Sequence, residues 1–415
     1  MKHLVALLPF KEFEETFITI MEVIKRSGIE ITIAGNVRKE DLHAYPFVKN
    51  IIYVPHPELY NDDEGPFFKA LDAYYIEKPF SAIINFFEEY VELAAKITKR
   101  FKLNGNSMET AFLTRNKYAM RTALAKHGLD VPLFIKVGNY EEFLSAIRKI
   151  GFPCVVKPLD AMASEGVLKL ERPQGFGDLY ADIIKNNKKV AKTNTTDLLI
   201  EQYIEGPEIS WEAVVSAGQL HIMGITEKTT EEEPFFNEIM HIHPAPLSDD
   251  IEEKIHDTGK RAVEALGIGF GGVHLEARIS SGKIYIIEIA SRLGGDAIPA
   301  LMTLSKGYDP YTYVFKSGLN EVLILKKTRD KVAGIRFIQA PVEGVLKEIY
   351  FDEELLSQIP GVINKRIFGR IGEYMARPPK GRTNRLAFVT IAGRNYDVVR
   401  ENLLKTDQCL KFIIE

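Results

Sequence analysis

Glu276 and Glu288 each stand inside an apolar run, VHLEARIS and IYIIEIA, that reads as a β-strand, and only Ser281, Gly282 and Lys283 separate the two runs. A three-residue loop with Gly282 in the left-handed region pairs Ser280 with Ile284 and brings Glu276 directly opposite Glu288. Like charges facing across a ladder weaken it. The pair makes sense if a hard divalent cation such as Mg2+ lies between the carboxylates. A register slip of one residue would instead turn one glutamate to the other face and leave two solvated side chains.

Lys157 carries the second chemical signal. FPCVVKP places it at the end of a Val-Val run bounded by prolines. A lysine at the mouth of a buried strand needs an anionic partner, and a phosphate is one. Ala161, Ala163, Ser164 and Gly166 follow it, small residues that let backbone N–H groups approach phosphate oxygens, although without the Walker spacing. Lys117, early in a helix, and Glu201 and Glu208, around the Glu-Gly-Pro-Glu turn of LLIEQYIEGPEIS, would singly pass for surface side chains.

The elements that must position these groups alternate along the first hundred residues: HLVALLPF, FEETFITIMEVIKRSG, IEITIAG, IIYVPH, SAIINFF and VELAAKITKRF read strand, helix, strand, strand, strand, helix. Such alternation predicts a parallel, doubly wound sheet. The first strand lacks a G-x-G-x-x-G, so the dinucleotide fingerprint is absent. In TRNKYAMRTALAKHGLDVP, Thr114 is the expected N-cap, with Gly128 and Pro132 beyond the helix end. GIRFIQAP, RLAFVTIAG and DVVRENLLK toward the end suggest a smaller α+β unit whose exposed strand edges would suit a homodimer.

At 415 residues the chain exceeds one ordinary core. Its 46% hydrophobic and 27% charged residues fit a soluble globular protein, and a net charge of −4 points to neither nucleic acid nor a membrane surface as partner. No apolar run is long enough for a bilayer span. Two cysteines, Cys154 and Cys409, imply no disulfide framework and fit a cytoplasmic setting. Trp211 and Cys154 read as core. His241 and His243 share a strand face without a clear third metal ligand. Glu231, Glu232 and Glu233 read as a solvated loop, and the cluster of Lys185, Lys188 and Lys189 is too short for nucleic acid.

The order of these elements resembles the ATP-grasp superfamily of carboxylate–amine ligases over nearly the whole chain. VVKPLDAMASEGV, LLIEQYIEGPEIS and HLEARISSGKIYIIEIASRLGGD are similar to that family's nucleotide and metal motifs. ITEKTTEEEPFFNEIMHIHPAPL and the stretch from GIRFIQAPVEG look most like the L-amino-acid ligases that make dipeptides. The resemblance implies an α/β and α+β chain: a pre-ATP-grasp, Rossmann-like domain over 1–105, an ATP-grasp domain over 106–325 with a lid at about 150–205, and a C-terminal α+β domain over 326–415.

It also implies roles. Lys117 and Lys157 would contact ATP phosphates, with Ser164 in the loop beside them. Glu201 and the backbone near Ile204 would meet adenine, and Glu208 the ribose hydroxyls. Glu276 and Glu288 would hold Mg2+ or Mn2+, and Arg292 would lie over the transferred phosphoryl group or a substrate carboxylate. Two positions depart from the family: Ala290 stands where many relatives have Asn, and Ala163 where Gly is frequent. The implied reaction activates a small-molecule carboxylate as an acyl phosphate and joins it to an amine, with amino acids as the expected pair. Ligation to a carrier-bound amine and carboxylation through carboxyphosphate stay open, although the chain has no Met-Lys-Met biotin motif. The rival of another class is an ATP-binding regulatory protein without turnover.

Overall fold

The structure is a computed structural model that describes the chain except residues 1–2, 10–14, 38–44, 49, 54–64, 161–165, 173–174, 191–196, 232–235 and 378–383, and the side chains of 15 and 186–190. Strands β1 (His3–Leu7), β2 (Glu30–Gly35), β3 (Asn50–Tyr53) and β4 (Ala82–Asn85) form a parallel sheet in the order β3-β2-β1-β4. Helices α1 (Glu15–Ser27) and α3 (Val91–Phe101) fall where the pattern predicts them, and α2 (Pro66–Glu77), between β3 and β4, is a helix the pattern did not include. Every residue of β1 is buried, as expected of a parallel strand covered on both faces.

Two short helices lead onward, α4 (Met108–Arg115) and α5 (Lys117–Lys126). Thr114 does not cap: it lies inside α4, where its hydroxyl donates to Thr110 O at 2.9 Å. Asn116 takes the capping role, its side chain accepting from the Ala119 N–H at 3.0 Å. An Asn in the extended region caps at least as well as Thr, and α4 already has its own cap in Ser107.

A second, antiparallel sheet of β5 (Phe134–Val137), β6 (Cys154–Pro158), β7 (Leu168–Leu170) and β8 (Leu198–Gln202) runs β5-β8-β6-β7. Phe143, Ala146 and Ile147 of α6 (Tyr140–Ile150) and Ile183 of α7 (Phe176–Val190) share its core, so this unit begins ahead of the expected lid boundary near 150.

The main sheet has eight strands in the order β13-β12-β9-β10-β11-β14-β18-β16. Its strands are β9 (Glu208–Ser216), β10 (Gln219–Thr230), β11 (Glu238–His243), β12 (Gly271–Ser280), β13 (Lys283–Ala290) and β14 (Val332–Gln339), then β16 (Val362–Ile367) and β18 (Arg385–Gly393). Strands β15 (Gly344–Phe351), β17 (Tyr374–Met375) and β19 (Leu410–Ile414) make a small sheet beside it. Residues past 325, expected as a domain of their own, therefore extend the main sheet: β14 pairs with β11 from Met240↔Arg336 to His243↔Ala333.

Helices α8 (Asp249–Ala265), α9 (Ile298–Lys306), α10 (Pro310–Gly318), α11 (Glu353–Ser357) and α12 (Tyr396–Lys405) complete the fold. α10 closes the first core from a distance, with Tyr311 and Phe315 both edge-on to Phe86. Trp211 and Cys154, read as core, are fully buried. Among the described residues, no helix is long and apolar enough to cross a membrane.

The β12–β13 hairpin differs from its expected form. Ser281 and Gly282 both have positive φ, 49° and 75°, and Ser280 pairs with Lys283, so the turn has two residues of the primed kind. That turn alone would put Glu276 opposite Ile287. A bulge at Ile287 adds one residue to β13, and Glu276 pairs with Glu288 after all. The facing register is right and the expected three-residue loop is not.

Candidate active site

Lys117, Lys157, Glu201, Ile204, Glu208, Glu276, Glu288 and Arg292 line one cavity, between β6 and β8 on one side and β10, β12 and β13 on the other. Ser164, the remaining expected contact, lies outside the described residues.

On the side of the four-stranded antiparallel sheet, Lys157 is the penultimate residue of β6 and Glu201 lies on the neighbouring β8. The Lys157 ammonium contacts one Glu201 oxygen, and the other accepts from Arg121 Nε at 2.7 Å. Burial pushes Lys157 down to about 8, opposed by Glu201. Burial alone would raise the Glu201 carboxyl, but Arg121 and Lys157 outweigh it and hold it below the usual range. Both Glu201 oxygens are thus engaged by cations. Ile204 is buried nearby, and its carbonyl accepts from Arg278 Nη1 at 3.0 Å. Arg278 Nε donates to Glu208 at 3.1 Å, which fixes the carboxylate expected at the ribose.

Glu276 and Glu288 face each other from β12 and β13, and each has a cation of its own. Lys117 Nζ is 3.2 Å from Glu288 Oε2. Lys228 of β10, almost fully buried, contacts Glu276 and lies 2.7 Å from Glu238 and 3.3 Å from Glu208. Burial would lower the Lys228 ammonium, but those three carboxylates hold it well above its ordinary value. The same contact and His274 hold Glu276 well below the carboxylate range, against the opposing effect of burial. The donor set of two facing carboxylates lining one cavity suits Mg2+, a cation that prefers oxygen and keeps water ligands.

Arg292, just past β13, is anchored from the N-terminal unit. Its Nε donates to Glu88 at 2.5 Å, and Arg115 Nη1 donates to the other Glu88 oxygen at 2.7 Å. Burial raises Glu88, yet Arg292 and Arg115 bring it down to about 2, so it is an anion at any working pH. The loop behind Arg292 is pinned by the Gly294 N–H donating to Glu212 at 3.1 Å. A side chain at Gly294 would meet Glu212 and His274 at 2.9 Å, so the close approach requires glycine.

Behind the lining residues Glu238 and Asp296, His241 of β11 has its Nε2 3.0 Å from Glu238 and 4.0 Å from Asp296. Burial lowers the imidazole, and these two carboxylates raise it above its ordinary value overall. His243 does not share this cluster: its Nδ1 lies 2.6 Å from Ser305 Oγ, and burial pushes it down to about 3. The paired histidines of the sequence therefore have separate surroundings. Lys228 on Glu238 and Arg385 on Asp296 already neutralise the acidic groups around His241.

Lys228, Glu238, His274, Arg278 and Asp296 also line the cavity, and the sequence reading singled out none of them. Three were readable. His274 and Arg278 flank Glu276 at strand spacing and so share its face, and Lys228 is a charge inside the β-patterned ITEKTT. Glu88 and Arg385 come from distant segments and left no local signal.

With this geometry in place, the comparisons with known proteins fall into line. Residues 150–300 match the ATP-grasp domain family, and the chain has the ATP-grasp fold. Within that class it is similar to L-amino acid ligases. The crystal structure of the L-amino acid ligase from Bacillus licheniformis superposes with a TM-score of 0.82 at 25% identity, covering 100% of this chain and 99% of that one. The L-arginine-specific L-amino acid ligase of Bacillus subtilis is 26% identical over 225 residues, 54% of this chain and 54% of that protein. An uncharacterized protein of Sinorhizobium fredii is 28% identical over 291 residues, 70% of this chain and 59% of its own length. The chain spans about half the length of the curated relatives it matches.

Proposed function

We propose that the protein is an ADP-forming ligase that activates a carboxylate with ATP and joins it to an amine, with two L-amino acids as substrates and a dipeptide as product. The observation that carries this reading is the convergence of Lys117, Lys157, Glu276, Glu288 and Arg292, from three separate stretches of sequence, on one cavity. The similarity to L-amino acid ligases supports the choice of substrates.

The substrate carboxylate attacks the γ-phosphorus of ATP, the bond to the β–γ bridging oxygen breaks, and an acyl phosphate and ADP result. The neutral amine then attacks the acyl carbon and inorganic phosphate leaves. Neither step needs a covalent protein nucleophile; both need positioning and charge neutralisation. Lys117 and Lys157 would neutralise phosphate oxygens. Arg292, with its orientation set by Glu88, would offer its planar fork to the transferred phosphoryl group. Glu276 and Glu288 would hold Mg2+, which supplies charge neutralisation to the polyphosphate when bound.

The test is Mg2+-dependent release of ADP and phosphate, screened over single amino acids and pairs, with mass spectrometry of products. Release that needs two amino acids, with a product lighter than their sum by one water, is the expected result, and Glu288→Gln should abolish it in a folded protein. ATP binding with no release under any pair would leave a nucleotide-binding regulatory protein instead.

A further inference from the structure

Between α10 and β14, residues 319–331 run outside any helix or strand. Within them EVLILKK, residues 321–327, alternates in burial: Val322, Ile324 and Lys326 are exposed, whereas Leu323 is buried in the core of the N-terminal sheet and Leu325 packs against it. A period of two is that of an extended chain. Val322 and Ile324 are 66% and 81% exposed, so two branched apolar side chains stand in a row on the surface.

The backbone of this strap is unpaired. The Glu321 N–H donates to Lys316 O at 3.3 Å and the Thr328 N–H to Lys306 O at 2.9 Å, and among the described residues no amide between them donates to another backbone group. The Ile324 carbonyl accepts from the Tyr313 hydroxyl of α10 at 3.0 Å. In an extended chain the N–H and C=O of one residue point to one side and those of its neighbours to the other. With Ile324 turned toward α10, Leu323 and Leu325 turn their backbone groups away from it. An open row of this kind is a template for a further strand.

The residues of the row select that strand. Laid antiparallel on a second copy of itself, with Ile324 on the two-fold axis, EVLILKK sets Glu321 against Lys327, Val322 against Lys326 and Leu323 against Leu325. Glu321 and Lys327 are both exposed, and the symmetry joins them as opposite charges at each end. Ile324 would form a non-hydrogen-bonded pair with its own copy, which leaves its carbonyl with Tyr313, and the Leu323–Leu325 pairs would exchange both N–H···O bonds. The cations Lys326, Lys327, Arg329 and Lys331 make an acidic segment of another protein the competing occupant, but only self-pairing uses Glu321. We propose that residues 321–327 are the interface of a two-fold dimer, formed by antiparallel pairing of this strap between two copies of the chain. None of them lines the cavity, so the proposal stands apart from the ligase reading. The edge also differs from the C-terminal strand edges expected to suit a homodimer.

Sedimentation equilibrium of the full chain at micromolar to submillimolar concentration reads the mass, and twice the chain mass is the expected result. Lys327→Glu and Glu321→Lys should each weaken the dimer by about tenfold or more, because each sets like charges face to face, and the double swap should restore it. Ile324→Cys should cross-link with itself on mild oxidation, since the paired Cα atoms would lie about 4.5 Å apart. Val322→Cys should cross-link only when mixed with Lys326→Cys. Cys154 and Cys409 are buried and add no background. A monomer at every concentration overturns the proposal and leaves the strap to an acidic partner. So does a dimer that neither charge reversal weakens, or one that the double swap does not restore. Self-cross-linking of Val322→Cys as fast as that of Ile324→Cys would exclude this register and with it the proposal.

Discussion

His274 sits between Glu212 and Glu276, with Nδ1 2.5 Å from one carboxylate and Nε2 3.1 Å from the other. Both ring nitrogens face acceptors, which favours the imidazolium. Burial opposes the charge, but Glu212 and Glu276 raise the ring to about 9, against 6.5 in the unfolded chain. A raised cation contributes stability that is fully present below 6.5 and is lost as pH climbs through 9. At 1.36 kcal/mol per unit this one group supplies about 3 kcal/mol at the acid end of that window. Denaturant unfolding of the nucleotide-free protein from pH 6 to 9.5 should therefore show a decline that is much shallower in His274→Asn; parallel profiles would mean that His274 is neutral in the native state. The same residue orients Glu276, so the variant should also bind Mg·ATP more weakly.

At the level of elements, α8 meets β9 with almost no clearance. A side chain at Gly259 would meet the Trp211 ring at 2.8 Å, and Trp211 Nε1 donates to His256 of the same helix at 3.0 Å. Alanine would gain about 1 kcal/mol of helix propensity and lose about 1–3 kcal/mol to overpacking, so Gly259→Ala should melt a few degrees lower. Trp211 is the only tryptophan in the chain, and its fluorescence reports this contact directly. A melting temperature at or above that of wild type would show that the helix can move away at little cost. These element contacts also mark the limit of what the sequence discloses. The parallel N-terminal sheet, the β12–β13 hairpin and Lys157 at a strand end follow from period, branching and turn residues. The bulge at Ile287 does not, because nothing local distinguishes it from its neighbours, and Arg121, whose Nη2 donates to the Ile287 carbonyl, lies on a distant helix. Thr114 and Asn116 were equally eligible caps by type; the existence of α4, with its own Ser107, decided between them. Glu88 and Arg385 became visible only when β4 and β18 were brought beside Arg292 and Asp296.

For the whole molecule, the central point is that the facing carboxylates do not need a metal in order to fold. Lys117 and Lys228 already oppose Glu288 and Glu276, and like-charge repulsion across the ladder is met from within. Chelation of divalent ions should leave the melting temperature of the nucleotide-free protein unchanged, whereas Mg·ATP should raise it in proportion to RT ln(1 + [L]/Kd). Unfolding on chelation would mean that the ion is part of the native framework. The Lys228 contact reaches further than stability. A tethered ammonium competes with any dissolved cation at a local concentration that dilution cannot lower, so under the proposed function the site would work as an ion exchanger with its counter-ion attached to the resin. Free Mg2+ alone is a poor eluent. A polyphosphate would give the displaced ammonium somewhere to go, so ion and nucleotide should load as a pair, and the protein should ignore swings in free magnesium when ATP is scarce.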